Sequence, residues 1–541
     1  MRKKSIDNNE KQKNFAARAA VCYFLVLFLL FSCVLRVAVI DSKGYDKVSA
    51  EQSAYKIKVC RVRGTIYDSN MLPLTNNKKS ITAVVAPTER ALMAVSGKIN
   101  PDESQELIDK LRNNKPAVCK VSEEIECEGV ATTYTYSTQG TNSACHIVGY
   151  LDNTGHGAAG LEAAYDNLLY SDEYLCAVYE ADGKGNILGG SQPRFENNSL
   201  SYSNYVVSTI DINMQNAALK AASRIKKGAV VVAEVKTAEI KVLLSLPQFD
   251  VSNLSASLND ENSPFVNRAL SAYSVGSVFK SCVAAAGVES GLSGYKFNCE
   301  GSTYIIDRYF KCHKLDGHGT VDLRQALAFS CNCFFYNYAQ MVGGEAIYKK
   351  ARVFGFGSSI SIADNIKTAS GNLPEVNTLK NPARLANFSI GQGELTASPI
   401  SLLPLYIAVA NNGKYYLPSI VKRSVKGGEV TEYDKGYPTQ AMSSNTANTI
   451  KEYLSSVISE GTAAAAAPKT VTAAGKTATA QTGKKDKNGV KINNSWFCGF
   501  FPAEEPKYVA VILSEGGNSI ETTTTFAEIA DEISRIADIT T

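Results

Sequence analysis

The chain has 541 residues, 45% of them hydrophobic and 20% charged, an ordinary globular composition with room for roughly two to four domains and a large core. A net charge of +4 over that length is close to balance, so the basic surface of a nucleic-acid binder is excluded. Four histidines make a histidine-based triad or metal centre a poor fit, and no cofactor is expected.

The N-terminus carries a membrane signal. Arg2, Lys3, Lys4, Lys11, Lys13 and Arg18 precede an apolar stretch from Ala19 to Leu35, interrupted by Arg36 and resumed from Val37 to Ile40. About 20 apolar residues span a bilayer as a helix, and flanking cations stay on the cytoplasmic side. A cleaved signal peptide has a shorter apolar core followed by a small-x-small site, and no clean site of that kind follows here. The expectation is a cytoplasmic tail over residues 1–18, an uncleaved transmembrane helix over 19–40, and the rest of the chain outside the membrane.

Residues 41–200 carry short β-like runs such as Ser80 to Ala86, a helical segment around Ser104 to Arg112, and few clusters of reactive side chains. They read as an elongated pedestal or dimerisation-like domain. The polar stretch Gln192 to Asn204 reads as a linker. Residues 201–541 form the second domain, with a helix through Gln215 to Ala222 and a hairpin of Gly228 to Val235 with Ile240 to Leu246. Near the end, Ser495 to Phe501 and Tyr508 to Leu513 make a second hairpin-like pair. Thr525 and Glu528 have the spacing of a capping box, followed by Phe526, Ile529, Ile533, Ile536 and Ile539 at helical intervals. Strands at both ends with a mostly helical insert between them predict an α+β plan, an antiparallel sheet covered by helices beside a helical lobe.

Three polar elements are set into this second domain. Ser277 and Lys280 stand three residues apart ahead of the helix-friendly run Ser281 to Val288, which places a hydroxyl and an amine on one helix face. A serine becomes a nucleophile when a nearby base takes its proton, and a lysine serves once its ammonium is forced neutral. Ser330, Cys331 and Asn332 follow the apolar run Ala326 to Phe329, and Lys476, Thr477 and Ala478 follow Gly475 at the start of a β-like segment. On that strand Lys476 and Ala478 share one face, and Thr477 and Thr479 the other.

Taken in order, Ser-x-x-Lys, Ser-x-Asn and Lys-Thr-x resemble the motifs of the penicillin-binding protein and serine β-lactamase superfamily. Arg63 to Asp68, Gly160 to Asp166, Thr209 to Asp211 and Ser389 to Gly393 are similar to segments of its class B members, monofunctional peptidoglycan D,D-transpeptidases. The resemblance implies Ser277 as nucleophile, Lys280 as base with its pKa lowered by Lys476, and Ser330 as proton relay. It also implies Asn332 on the substrate amide, Thr477 and Thr479 on its terminal carboxylate, and an oxyanion hole from the backbone N–H groups of Ser277 and Thr479. The implied ligands are peptidoglycan stem peptides and β-lactams, with a glycan polymerase as partner. Ala478 stands where the family usually has glycine, and a slight displacement of the strand is expected. A D,D-carboxypeptidase or β-lactamase-type hydrolase, and a non-catalytic scaffold of a wall-synthesis complex, are the alternatives.

Of thirteen cysteines, Cys22 and Cys33 lie in the anchor, which leaves an odd number outside it. Cys299 and Cys312 are the pair expected to interact, as a possible redox pair between the two serine motifs. A zinc site from Cys299, Cys312, His313 and His318 lacks the usual paired spacing, so no metal is expected.

Overall fold

The computed structural model describes residues 2–42, 53–99, 101–137, 140, 142–196, 203–464, 467–485 and 489–539. A single helix runs from Arg2 to Ser42. Its portion Lys13–Ser42 is, among the described residues, the one helix long and apolar enough to cross a membrane. Its large side chains, among them Phe24, Phe28 and Phe31, are exposed along its length.

The chain divides into two compact units. The first takes in residues 1–61, 80–135 and 173–198. One of its sheets orders Ala54–Arg61, Tyr174–Glu180 and Arg194–Glu196, and another places Lys78–Val85 between Ala117–Val121 and Val130–Ser137. Alternate residues of Lys78–Val85 serve different cores: Ala83 and Val85 pack with Val95 and Leu107, while Val84 packs with Ala177 and Tyr179. The helix expected from Ser104 begins at Pro101. Within the polar stretch 192–204, Arg194–Glu196 is a strand, and residues 197–202 lie outside the described residues.

The second unit contains residues 62–79, 136–172 and 199–541. Its main sheet is antiparallel and five-stranded, in the order Ile240–Leu246, Gly228–Glu234, Tyr508–Ser514, Lys491–Phe501 and Ala474–Lys485. Central strands such as Gly228–Glu234 are almost wholly buried, because helices cover the sheet. Ile212–Ala221, capped by Asp211, and Ser519–Ile536 pack against each other beside it. The last helix starts earlier than the Thr525–Glu528 spacing suggests. Its cap is Asn518, whose side chain accepts from the N–H groups of Ile520 and Glu521, and Thr525 sits inside the helix with its hydroxyl directed at the Ala221 carbonyl. Four consecutive threonines of modest helix propensity hide that first turn in the sequence.

The segments around Arg63 and Gly160 also belong to this unit. Arg63 is buried, and its guanidinium donates to Glu162 at 2.8 and 2.5 Å and to Asp166 at 2.9 Å. A cation taken out of water needs such paired carboxylates, so these residues hold structure together.

Candidate active site

Gly276–Phe279 forms a 3-10 turn that runs into the helix Lys280–Glu289. At three residues per turn, positions i and i+3 eclipse, so the turn brings Ser277 and Lys280 closer to alignment than an α-helix does. Lys280 through Gly287 are all buried, a helix of small and apolar side chains threaded through the core. Three contacts fix the turn. Tyr406 donates its hydroxyl to the Val278 carbonyl at 3.0 Å, Trp496 donates Nε1–H to the Ser274 carbonyl at 3.0 Å, and the Gly276 N–H donates to the Gly391 carbonyl at 2.9 Å.

Gly276 has φ of +66°, and a Cβ there would lie 3.0 Å from the Ala480 Cβ and 3.3 Å from the Ala478 Cβ. The turn that carries Ser277 therefore lies directly on the strand Ala474–Lys485. The Ala478 methyl faces this turn as the sequence suggests, and it is accommodated because residue 276 has no side chain. Gly391 backs the turn from the other side, where a Cβ would come within 2.1 Å of the Gly276 carbonyl oxygen.

Lys280 is fully buried. Its Nζ donates to the Ser330 carbonyl at 2.8 Å, the Ser330 hydroxyl at 3.2 Å and Asn332 Oδ1 at 2.7 Å. Ser330 has φ of +54°, in the left-handed region that costs a non-glycine residue about 1–3 kcal/mol. That conformation turns its carbonyl and hydroxyl toward the same amine. Asn332 opens the helix Asn332–Val342. Since its Oδ1 is engaged by Lys280, its amide N–H groups remain for another acceptor. Burial pulls the Lys280 pKa down to about 8.

Lys476 is also fully buried, and its Nζ donates to the Thr477 carbonyl at 3.1 Å. Burial first, and the charge of Lys280 second, hold its pKa well below the ordinary lysine value. This refines the sequence expectation: burial lowers the Lys280 pKa, and the repulsion between the two cations acts on Lys476. Ala474–Lys485 is an edge strand, so alternate backbone N–H groups beyond Lys476 point away from the sheet. Thr479 is exposed on it, while Thr477 is buried with its hydroxyl 2.9 Å from that of Thr462.

Thr462 is a site residue that the sequence does not single out. Its N–H donates to the Ala328 carbonyl at 3.0 Å, and a Cβ on Gly461 would come within 2.3 Å of that same oxygen. The loop Gly461–Thr462 thus ties the segment leading to Ser330 to the strand of Thr477. A Gly-Thr pair before an alanine run carries no recognisable spacing, so only the fold reveals it.

The structure therefore brings Lys280, Ser330 and Asn332 into direct contact, sets Ser277 one turn from Lys280, and lays the strand of Lys476, Thr477 and Thr479 against the nucleophile turn. Cys299 and Cys312 are both buried free thiols, without a bridge between them. They belong to a larger group with His318 and Cys331, whose ligand atoms all lie within 4.8 Å of one another. The set of Cys299, Cys312, His313 and His318 lacks the paired spacing of a zinc site, and folding gathers Cys331, not His313, into this group.

The penicillin-binding protein transpeptidase domain model matches residues 228–535. The peptidoglycan D,D-transpeptidase MrdA of Acinetobacter baumannii is 25% identical over 594 aligned residues, covering 94% of this chain and 86% of that protein. Stage V sporulation protein D of Bacillus subtilis is 27% identical over 500 residues, covering 84% and 74%. Among solved structures, the D,D-transpeptidase domain of a peptidoglycan glycosyltransferase from Eggerthella lenta aligns with a TM-score of 0.65 at 23% identity, covering 89% of this chain and 99% of that one. Penicillin binding protein 3 of Mycobacterium tuberculosis, complexed with aztreonam, aligns with a TM-score of 0.65 at 21% identity, covering 90% and 98%. These likenesses establish the fold.

Proposed function

Since this chain belongs to the class B penicillin-binding proteins, we propose that it is a peptidoglycan D,D-transpeptidase that cross-links stem peptides through an acyl-enzyme on Ser277. The observation that carries this reading is the buried Lys280 amine, held by Ser330 and Asn332 one turn from that serine. As a neutral amine, Lys280 keeps two N–H donors for the oxygens of Ser330 and Asn332 and has a lone pair free to take the Ser277 proton.

Ser277 Oγ attacks the carbonyl of the penultimate D-alanine while Lys280 takes its proton. The tetrahedral oxyanion is met by the backbone N–H groups of Ser277 and Thr479, the latter on an edge strand. Ser330 relays the proton to the departing D-alanine amine, and the C–N bond breaks to leave an ester. An acceptor amine from a second strand then attacks that ester, and the Ser277 oxygen recovers its proton. Asn332 donates to the substrate amide carbonyl. Lys476, Thr477 and Thr479 hold the terminal carboxylate, whose charge favours the protonated form of Lys476. β-Lactams acylate the same serine.

The helix Lys13–Ser42 anchors the chain, with residues 1–18 in the cytoplasm and the catalytic unit outside, where its substrate lies. In this reading a separate glycan polymerase supplies the strands that the chain joins. The test is to incubate the detergent-solubilised protein with a D-Ala-D-Ala stem peptide, with and without an acceptor amine. D-alanine release coupled to a cross-linked product supports the proposal. Release with hydrolysed donor alone favours a carboxypeptidase, and no release from wild type favours a scaffold.

A further inference from the structure

Beside the acyl-transfer residues, Cys299, Cys312, His318 and Cys331 converge from four stretches of chain. Cys299 ends the strand Lys296–Cys299, which pairs with Gly319–Asp322, and Cys312 follows the strand Arg308–Lys311. The His318 N–H donates to the Cys299 carbonyl at 3.0 Å, and the Cys312 N–H donates to the Gly301 carbonyl at 2.8 Å. Close turns make this possible. Gly301 and Gly317 have φ of +88° and +81°, and a Cβ at Gly317 would come within 2.1 Å of the Cys299 carbonyl oxygen. The three sulfurs are buried and the imidazole is half-buried.

We propose that these four side chains bind one zinc ion, and that this centre positions the Ser330–Cys331–Asn332 segment for acyl transfer. Tetrahedral zinc has bonds of about 2.3 Å to sulfur and about 2.05 Å to nitrogen, which sets a ligating sulfur and nitrogen about 3.6 Å apart. His318 Nδ1 lies 3.6 Å from the Cys299 sulfur and 3.6 Å from the Cys312 sulfur. Thiolate and imidazole donors in a closed four-donor set suit zinc and leave no open position for substrate. Cys331 Sγ also accepts the Phe334 N–H at 3.4 Å at the start of its helix, the kind of bond that supports a ligating thiolate. Binding exchanges one S–H proton per cysteine for a bond to the metal, and those protons pass to solvent.

The second half of the proposal rests on the acyl-transfer reading. Among the described residues, Ser330 and Asn332, on either side of Cys331, supply the acceptors of the Lys280 amine. Ser330 holds a left-handed backbone conformation that something must enforce. A metal bond to Cys331 fixes the residue between them. Cys331 is thus a positioning residue that acts through its neighbours, not a group that touches substrate.

Metal content and acylation are measured separately on the full-length protein purified in detergent under reducing conditions. Elemental analysis is expected to find one zinc per chain in the wild type, Ser277→Ala and His313→Ala, and a loss of zinc in His318→Ala and Cys312→Ser. Cobalt substituted for zinc is expected to give the visible bands of a tetrahedral thiolate site. Removing zinc from wild type with a chelator is expected to slow labelling by a fluorescent penicillin at least about tenfold. Adding zinc back should restore it while circular dichroism shows the fold retained throughout. A metal-free wild type that labels fully overturns the proposal, as does a Cys299–Cys312 disulfide in the peptide map. Zinc present but without effect on labelling overturns the positioning role. Zinc present in a protein that no β-lactam labels would instead count against the acyl-transfer reading.

Discussion

Two lysines are wholly buried in the same site, and their surroundings differ. Lys280, on the nucleophile helix, meets three oxygens of the Ser330–Asn332 segment, whereas Lys476, on the edge strand, donates to a single backbone carbonyl and faces the charge of Lys280. With its pKa pulled down to about 8 by burial, Lys280 is suited to exchange protons. Among the described residues Lys476 has one acceptor, and in the proposed reading the carboxylate of the substrate supplies the anion it lacks. In that reading the same residue type serves two tasks, set apart by what surrounds each amine.

The contrast is broken most severely at Lys280. Lys280→Met is expected to lower the second-order rate of β-lactam acylation by about 10²–10⁴-fold with the Ser277 hydroxyl still present, read by stopped-flow labelling. Lys476→Ala removes the carboxylate partner and should cost roughly tenfold to a hundredfold, mainly in the concentration needed for half-maximal acylation. If both variants lost only the limiting acylation rate, the two lysines would share one task and the contrast would fail.

The pH dependence sharpens the same point. With the pKa of Lys280 lowered to about 8, the reactive neutral form grows as pH rises, so acylation should increase about tenfold per pH unit below that value and level off above it. A flat profile between pH 6 and 9 would contradict a lysine base. The smallest effect is expected at Thr462, whose hydroxyl orients that of Thr477. Thr462→Val should weaken β-lactams that carry the carboxylate by about threefold to tenfold while leaving the limiting acylation rate unchanged.

Much of this was legible in the sequence where chemistry and local structure share a period. Ser277 and Lys280 are one turn apart, and Lys476, Thr477 and Thr479 lie along one strand, so their placement could be read before folding, while their roles rest on the resemblance. The two hairpins of the main sheet announced themselves through β-branched and aromatic runs. Features made by contact between distant segments could not be read this way. The approach of Gly276 to Gly391, the bridge from Thr462 to Thr477 and the union of Cys331 with Cys299, Cys312 and His318 are tertiary, and spacing along the chain misled about the last of them. The start of the final helix was hidden for a local reason, since Asn518 caps a run of threonines that propensity alone would not make helical.

The claim on which all of this depends is that Ser277 forms a lasting ester. Intact mass spectrometry of the full-length protein after exposure to a β-lactam, followed by peptide mapping, tests it most directly. The expected result is one added β-lactam mass per chain, located on the peptide that contains Ser277 and absent from Ser277→Ala. An unmodified wild type, or an adduct on any other residue that persists in Ser277→Ala, would contradict the account.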